Sequence, residues 1–304
     1  MTDFRVNPHD AFFKKNFEKR EVIVSYIKDF LPKSLSQYID IKTLSLDGNQ
    51  YADNDLRQYF SDIVYNCKFK DSNAKLTLLF EHKSYNDQFI QFQILKYMTL
   101  LWNREINSKM KPSLILPVLF YNGEYLFKKK KINDFFSEVP DEFKLYIPQF
   151  DFHITDLLSC DDSFLKLAVE SQRLKIVALL MKYIRNNSKL REIFHEILLD
   201  ISKKYSEENK ELLEIILNYM FYSSELDDDF LYENRDLIID IGGSDIMTLA
   251  ENLVMRGKKE GKLEGEREAL LKTAEKMVLD GVDIKFIVKY TGLTKDEINS
   301  LKEK

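Results

Sequence analysis

The feature that most constrains this chain is a pair of strand-like runs separated by a short polar turn. Residues 60–69 read FSDIVYNCKF and residues 75–81 read KLTLLFE. Both are rich in the β-branched and aromatic side chains that suit a pleated, half-buried surface. Between them KDSN has the composition of a hairpin turn. A hairpin here sets the two strands side by side. Residues i and i+2 of a strand share a face, so Glu81 and Lys83 point to one side and His82 to the other. Asp62, near the start of the first run, stands opposite the end of the second. Three charged side chains then converge at one rim of a sheet.

That layout suits metal-assisted phosphodiester chemistry. Two carboxylates, Asp62 and Glu81, can hold a hard divalent cation such as Mg2+ or Mn2+ through oxygen. The cation polarises a phosphoryl oxygen and acidifies a bound water. Lys83 can orient that water or offset the growing negative charge. The D…ExK spacing is that of the PD-(D/E)XK nuclease fold; the competing reading is edge-strand charges and a surface ion pair.

Neighbouring segments add to the motif. HDAFFKK (9–15), DLRQYFSDIVY (55–65), LFEHKS (79–84) and PVLFYNGE (117–124) together resemble the Rpn family, the recombination-promoting nucleases, also described as YhgA-like transposases. GKKEGKLEGEREALLKTAEKMVLDGVD (257–283) and TGLTKDEI (291–298) look like the same family's terminal helical segment, whereas the middle of the chain resembles it poorly. The resemblance implies DNA as partner, DNA breakage that promotes recombination, and links to mobile elements and phage defence. It implies Asp62 and Glu81 as metal ligands and Asp10, from the leading helix, as an auxiliary one. It also implies that Gln93 and Tyr97, four apart on one helical face, flank the metal site. Some members carry Gln in the Lys slot of ExK; Lys83 keeps the fuller pattern.

Simpler readings stand beside several of these. Asp10 also fits the first turn of a helix, where a carboxylate complements the dipole. Lys14 and the run Lys128, Lys129, Lys130 and Lys131 could meet phosphate without reading sequence, or form solvated faces. Arg57 could hold a phosphate or pair with Asp53 or Asp55. Tyr97 could be core and Gln93 an exposed helix residue. His9 reads as a cap or surface residue, and His153 and His195 read as structural.

Taken in order, residues 8–31 read as a helix with Phe12, Phe13, Phe17, Val24, Ile27 and Phe30 on its apolar face. IDIKTLSL (39–46) alternates as a strand, and the hairpin follows. Residues 88–107 form an amphipathic helix offering Phe89, Phe92, Leu95, Tyr97, Met98, Leu101 and Trp102 for burial. SLILPVLFY (113–121) is apolar throughout, as a doubly covered strand should be. FDFHITDL (150–157) adds an edge strand. From about residue 160 helical periodicity takes over, at 162–185, 189–204, 208–223 and 229–240. A long helix starts at Ser244, with Gly257, Gly261 and Gly265 in register for either close helix approach or a hinge. Residues 283–302 read as a helix, a Thr-Gly turn and a second helix capped by Thr294 and Glu297, which serves either DNA binding or oligomerisation.

The expected fold is α+β: a restriction-endonuclease-like αβββαβ core over 1–160, a helical domain over 161–243, and a long helix with a helix-turn-helix-like hairpin over 244–304. The 304 residues are ample for this core. A net charge of −5 leaves DNA contact to local positive surface. No run reaches the roughly 18 apolar residues of a membrane span, and two cysteines make neither a disulfide framework nor a metal spacing. A reduced cytoplasmic setting and a homo-oligomer joined through the C-terminal helices are expected. The activity expected is a DNA endonuclease of low sequence specificity. The alternative is a catalytically silent DNA-binding or oligomerising protein of transposase origin; a further one is an enzyme acting mainly on RNA.

Overall fold

A computed structural model describes residue 4 and residues 7–47, 63–203, 206–224 and 227–300. Five strands form one mixed sheet in the order β1-β2-β3-β4-β5: β1 (Ile39–Leu46), β2 (Ile63–Phe69), β3 (Lys75–Lys83), β4 (Leu114–Tyr121) and β5 (His153–Asp156). The first three pair antiparallel, and β3, β4 and β5 run parallel. The β2–β3 hairpin forms in the register Lys68–Lys75 to Ile63–Phe80, with Asp71 at positive φ in its turn. Parallel neighbours need a crossover. The helix α3 (Ile90–Asn107) supplies it between β3 and β4.

Alternation along the strands divides the core in two. Leu78, Phe80, Val118 and Phe120 face one side, with Tyr65 and Cys67 of β2. Val64, Leu79, Ile115, Leu119 and Tyr121 face the other, against Ile90, Ile94, Tyr97, Met98 and Leu101 of α3. The first side is covered by α1 (Pro8–Phe17) and α2 (Arg20–Asp29), whose Phe12, Phe13, Phe17 and Tyr26 are fully buried. Sheet between helical layers is the general solution for burying both faces of parallel strands.

The sequence pattern reads 8–31 as one helix, but the chain breaks it at residues 18–19. Lys19 is extended (φ −78°, ψ 121°), and Tyr65 donates its hydroxyl to the carbonyls of Phe17 (3.1 Å) and Glu18 (2.8 Å). A tyrosine distant in sequence thus satisfies backbone acceptors that an unbroken helix would use itself. Burial in that contact pushes the Tyr65 phenol pKa upward.

The helices beyond residue 160 extend the first core rather than starting another. α4 (Gln172–Tyr183), α5 (Asn187–Ser202), α6 (Glu207–Ser223) and α7 (Asp228–Glu233) share one continuous apolar cluster with α1, α2 and the sheet, from Phe4 to Val254. Tyr219 of α6 stacks on Phe12 at 4.0 Å and hydrogen-bonds His9 Nδ1 at 2.9 Å. The long α8 (Arg235–Leu279) is interrupted at Gly243, whose φ of +75° favours glycine. Helix resumes at Ser244, where the sequence places its start. A Cβ on Gly257 would sit 3.0 Å from the Phe221 ring, so close helix approach explains that glycine; Gly265 faces open space.

The tail has a small core of its own. Ala274, Ile287, Leu293 and Ile298 bury one another between the end of α8, α9 (Ile284–Thr291) and α10 (Lys295–Ser300). The Thr294–Glu297 capping box forms in both directions: the Thr294 N–H donates to Glu297 Oε2 at 2.8 Å and the Glu297 N–H to Thr294 Oγ1 at 3.3 Å.

Two histidines, His82 buried and His9 half-buried, link this packing to pH. His82 lies between the Phe13 ring and Asn122 Oδ1 (2.9 Å). Burial lowers its pKa to about 4, opposed by the Asn122 bond and assisted by Lys83, Lys14 and Arg185. His9 is lowered to about 3 by burial, Arg185 and His82. Both folded values lie below the unfolded 6.5, so their contribution is complete above that pH and is lost as pH falls toward 4. Across that window each histidine should remove about 1.4 kcal/mol of stability per pH unit. Urea unfolding at pH 7 and pH 5 should therefore show a marked fall in midpoint, and equal midpoints would contradict the uncharged state of the two rings.

Candidate active site

Glu81 and Lys83 end β3 at its carboxyl edge, beside Leu119 and Tyr121 of the parallel β4. Ligands of open sheets with parallel strands gather at such edges. Glu81 is 1% exposed. Its Oε1 accepts from Lys83 Nζ (3.0 Å) and from Gln93 Nε2 (2.8 Å), while its Oε2 is buried with no partner. Gln93 also donates to the Tyr97 hydroxyl at 2.7 Å. Gln93 therefore links Tyr97 to Glu81 and braces the carboxylate. Because Gln93 lies in the first turn of α3, the positive end of that helix points at this edge.

Lys83 has a second partner absent from the sequence reading, Asp87, at 3.7 Å. Its i, i+4 spacing from Lys83 was the available signal, but it falls in the loop before α3, where helical spacing has no force. Burial alone would lower the Lys83 pKa; Glu81 by charge and hydrogen bond, with Tyr85 and Asp87, outweighs this and holds it above the usual lysine value. At neutral pH Lys83 is an ammonium.

The far side of the edge is tied down by residues that sequence reasoning missed. Arg185, just beyond α4, donates to the Asn122 carbonyl (2.6 Å) and the Ser84 carbonyl (3.0 Å). Asn122 donates its backbone N–H to the Lys83 carbonyl at 3.0 Å and its side-chain amide to Met181 O at 3.2 Å. The exits of β3 and β4 are thus joined through one guanidinium. No local pattern marks Arg185, since its targets lie 63 and 101 residues away.

The other expected site residues divide. Asp62 and Arg57 lie outside the described residues; Ile63, next after Asp62, pairs with Phe80, the residue before Glu81. Asp10 binds Lys14 at 2.6 Å on α1, the helix covering the His82 face, and the structure does not bring either residue onto Glu81. In the lysine run all four side chains are exposed. Lys129 is held by Asp151 and the Phe152 carbonyl (2.7 Å), and Lys130 lies 5.5 Å from the Phe135 ring centre. The Lys130 carbonyl accepts from Gln91 of α3 at 3.0 Å, which anchors the run beside the helix that carries Gln93.

The described residues suit a hard cation: among them the buried Glu81 Oε2 has no hydrogen-bond partner. Among the described residues no three His, Cys, Asp or Glu side chains cluster as a complete metal cage. Asp62 would be a ligand from outside them.

Residues 7–212 match the family model described as "Putative transposase, YhgA-like". The chain belongs to the YhgA-like transposase family. Relatives of this YhgA-like chain include the recombination-promoting nuclease RpnA of Escherichia coli K12, 24% identical over 301 residues and 96% of each chain. The inactive recombination-promoting nuclease-like protein RpnE of the same strain is 24% identical over 297 residues, again 96% of each. The recombination-promoting nuclease RpnD of E. coli O157:H7 is 26% identical over 231 residues, 74% of this chain and 85% of its own. No solved structure matches. No helix among the described residues is long and apolar enough to cross a membrane.

The Glu81–Lys83 pair yields a stability test. Removing one partner of a buried ion pair strands the other charge, at a cost of about 3–5 kcal/mol. Lys83→Met should destabilise the protein by about 3 kcal/mol, and adding Glu81→Gln should recover most of it, by denaturant unfolding. Losses that simply add would show that the two groups are not coupled.

Proposed function

We propose that this chain is a divalent-metal-dependent DNA endonuclease of low sequence specificity, built on a PD-(D/E)XK core and acting in recombination. The observation that carries the reading is the unsatisfied, buried Oε2 of Glu81 beside an Oε1 already held by Lys83 and Gln93. A native fold leaves such an atom unpaired where something else is meant to meet it. The sheet supports the same reading, with three antiparallel strands, a crossover helix and a parallel fourth strand. So do the relatives that carry the name nuclease.

Asp62 and Glu81 would hold Mg2+ or Mn2+, which when bound supplies a Lewis acid for the phosphoryl oxygen and a more acidic water. The remaining work belongs to the chain. Gln93, locked by Tyr97, keeps one Glu81 oxygen engaged and leaves the other, buried oxygen for the cation. Lys83, protonated at neutral pH, offsets negative charge at the scissile phosphate and does not take the proton from water. The lysines at 128–131 and the N-terminus of α3 draw in the phosphate chain without reading its bases. Asp10 remains a candidate auxiliary ligand and Arg57 a candidate phosphate contact.

A second reading rests on the relatives named inactive: a silent DNA-binding or oligomerising protein. In either case the tail is proposed to join copies of the chain in the cytoplasm, through the exposed Phe286 and Tyr290 of α9.

Purified protein should nick supercoiled plasmid with Mg2+ and lose this activity with EDTA, Asp62→Ala or Glu81→Ala. Lys83→Met should slow nicking about 100-fold or more. Equal nicking by wild type and Glu81→Ala would remove the assignment, and no nicking by wild type would favour the silent reading. Phe286→Ser with Tyr290→Ser should reduce the mass seen by light scattering; an unchanged mass would exclude that face as the joint.

A further inference from the structure

The six residues that connect β3 to α3, 84–89, carry two large aromatic side chains turned to solvent. Tyr85 is 59% exposed and Phe89 52%. The helical pattern reads Phe89 as core, yet it precedes the first turn of α3 and packs only on neighbouring rings. Phe135 stacks against it at 5.6 Å with a 29° interplanar angle, and Phe92 lies 6.3 Å away. Phe92 and Phe135 meet edge to face at 5.2 Å. Each aromatic group has a cation beside it: Lys83 Nζ is 5.6 Å from the Tyr85 ring centre, and Lys130 Nζ is 5.5 Å from that of Phe135. Rings this exposed forgo a large apolar burial. Here they stand on one short connection, Tyr85 beside the lysine of the candidate active site and Phe89, through Phe135, beside the basic run.

Alternating ring faces and ammonium groups match a polymer of flat bases on a phosphate chain. Stacking platforms flanked by lysine are how proteins hold unpaired bases with little regard for sequence. A duplex keeps its base faces covered and offers such rings nothing beyond its phosphates. We propose that Tyr85 and Phe89 form a base-stacking subsite, so that the preferred substrate is a DNA strand with unpaired bases next to the scissile phosphate. This rests on the nuclease reading for the choice of polymer, while the stacking itself requires no catalysis. The unlike neighbours of the two rings assign them different places. Tyr85, over Lys83, takes the base nearest the cleaved bond, and Phe89, over Phe135, takes one further toward Lys130.

The test is binding in EDTA, where nothing is cut, using the full-length chain and a labelled single strand of about 20 nucleotides, longer than one such site. The same strand annealed to its complement serves as the duplex. Tyr85→Ala with Phe89→Ala should weaken single-strand binding about tenfold or more by anisotropy, and duplex binding less than about threefold. Phe89→Trp with Tyr85→Trp should restore single-strand affinity, because either ring stacks. Replacing Lys128 and Lys130 by Gln should weaken both forms alike. Circular dichroism melting of each variant checks that the fold is intact, as exposed positions allow. Equal loss on strand and duplex, no loss on either, or no recovery with Trp would overturn the stacking subsite. A strand-selective loss in a protein that nicks no plasmid would keep the subsite and remove the nuclease; an active wild type with indifferent variants would do the reverse.

Discussion

A buried carboxylate with one hand full and one hand empty governs this molecule. Glu81 is almost wholly removed from water, which a charged group tolerates only with partners. Lys83 and Gln93 provide them, but both act on the same oxygen. Moving either would leave the charge unsupported. The end of β3, the first turn of α3 and the Tyr97 hydroxyl are therefore held in one arrangement by the needs of one side chain. The remaining oxygen costs stability as it stands, the usual mark of a functional position.

The opposite face of β3 supplies the rigidity this requires. His82 projects away from Glu81 into the aromatic layer of Phe13 and accepts its place only uncharged. Arg185 and Asn122 join the exits of β3 and β4. The helices after residue 160 carry Arg185 and share the core of α1, α2 and the sheet. They brace the edge where the chemistry is proposed, although they contribute no reactive side chain to it.

Much of this was legible because local patterns had no competitor. The alternation at 39–46 is β1 residue for residue, the hairpin turns at KDSN, and Thr294 with Glu297 caps α10 as spaced. Strand and helix periods each gave a pair, Glu81 with Lys83 and Gln93 with Tyr97, and only the family resemblance set the two pairs side by side. What escaped depended on contacts distant in sequence. The break at residues 18–19 answers to Tyr65, and the link between strand ends to Arg185. Phe89 has the right spacing for the apolar stripe but stands one residue outside the helix that would bury it. Spacing shows which residues share a face, and not which partner reaches them first.

The central claim is that the unpaired oxygen of Glu81 awaits a cation. A crystal soaked in Mn2+ and measured for anomalous scattering tests this without reference to turnover. The account predicts an anomalous peak about 2.0–2.6 Å from Glu81 Oε2, shared with Asp62 and absent from Glu81→Ala. A Glu81 Oε2 satisfied by water alone at saturating Mn2+, or a metal peak bound elsewhere, would contradict it.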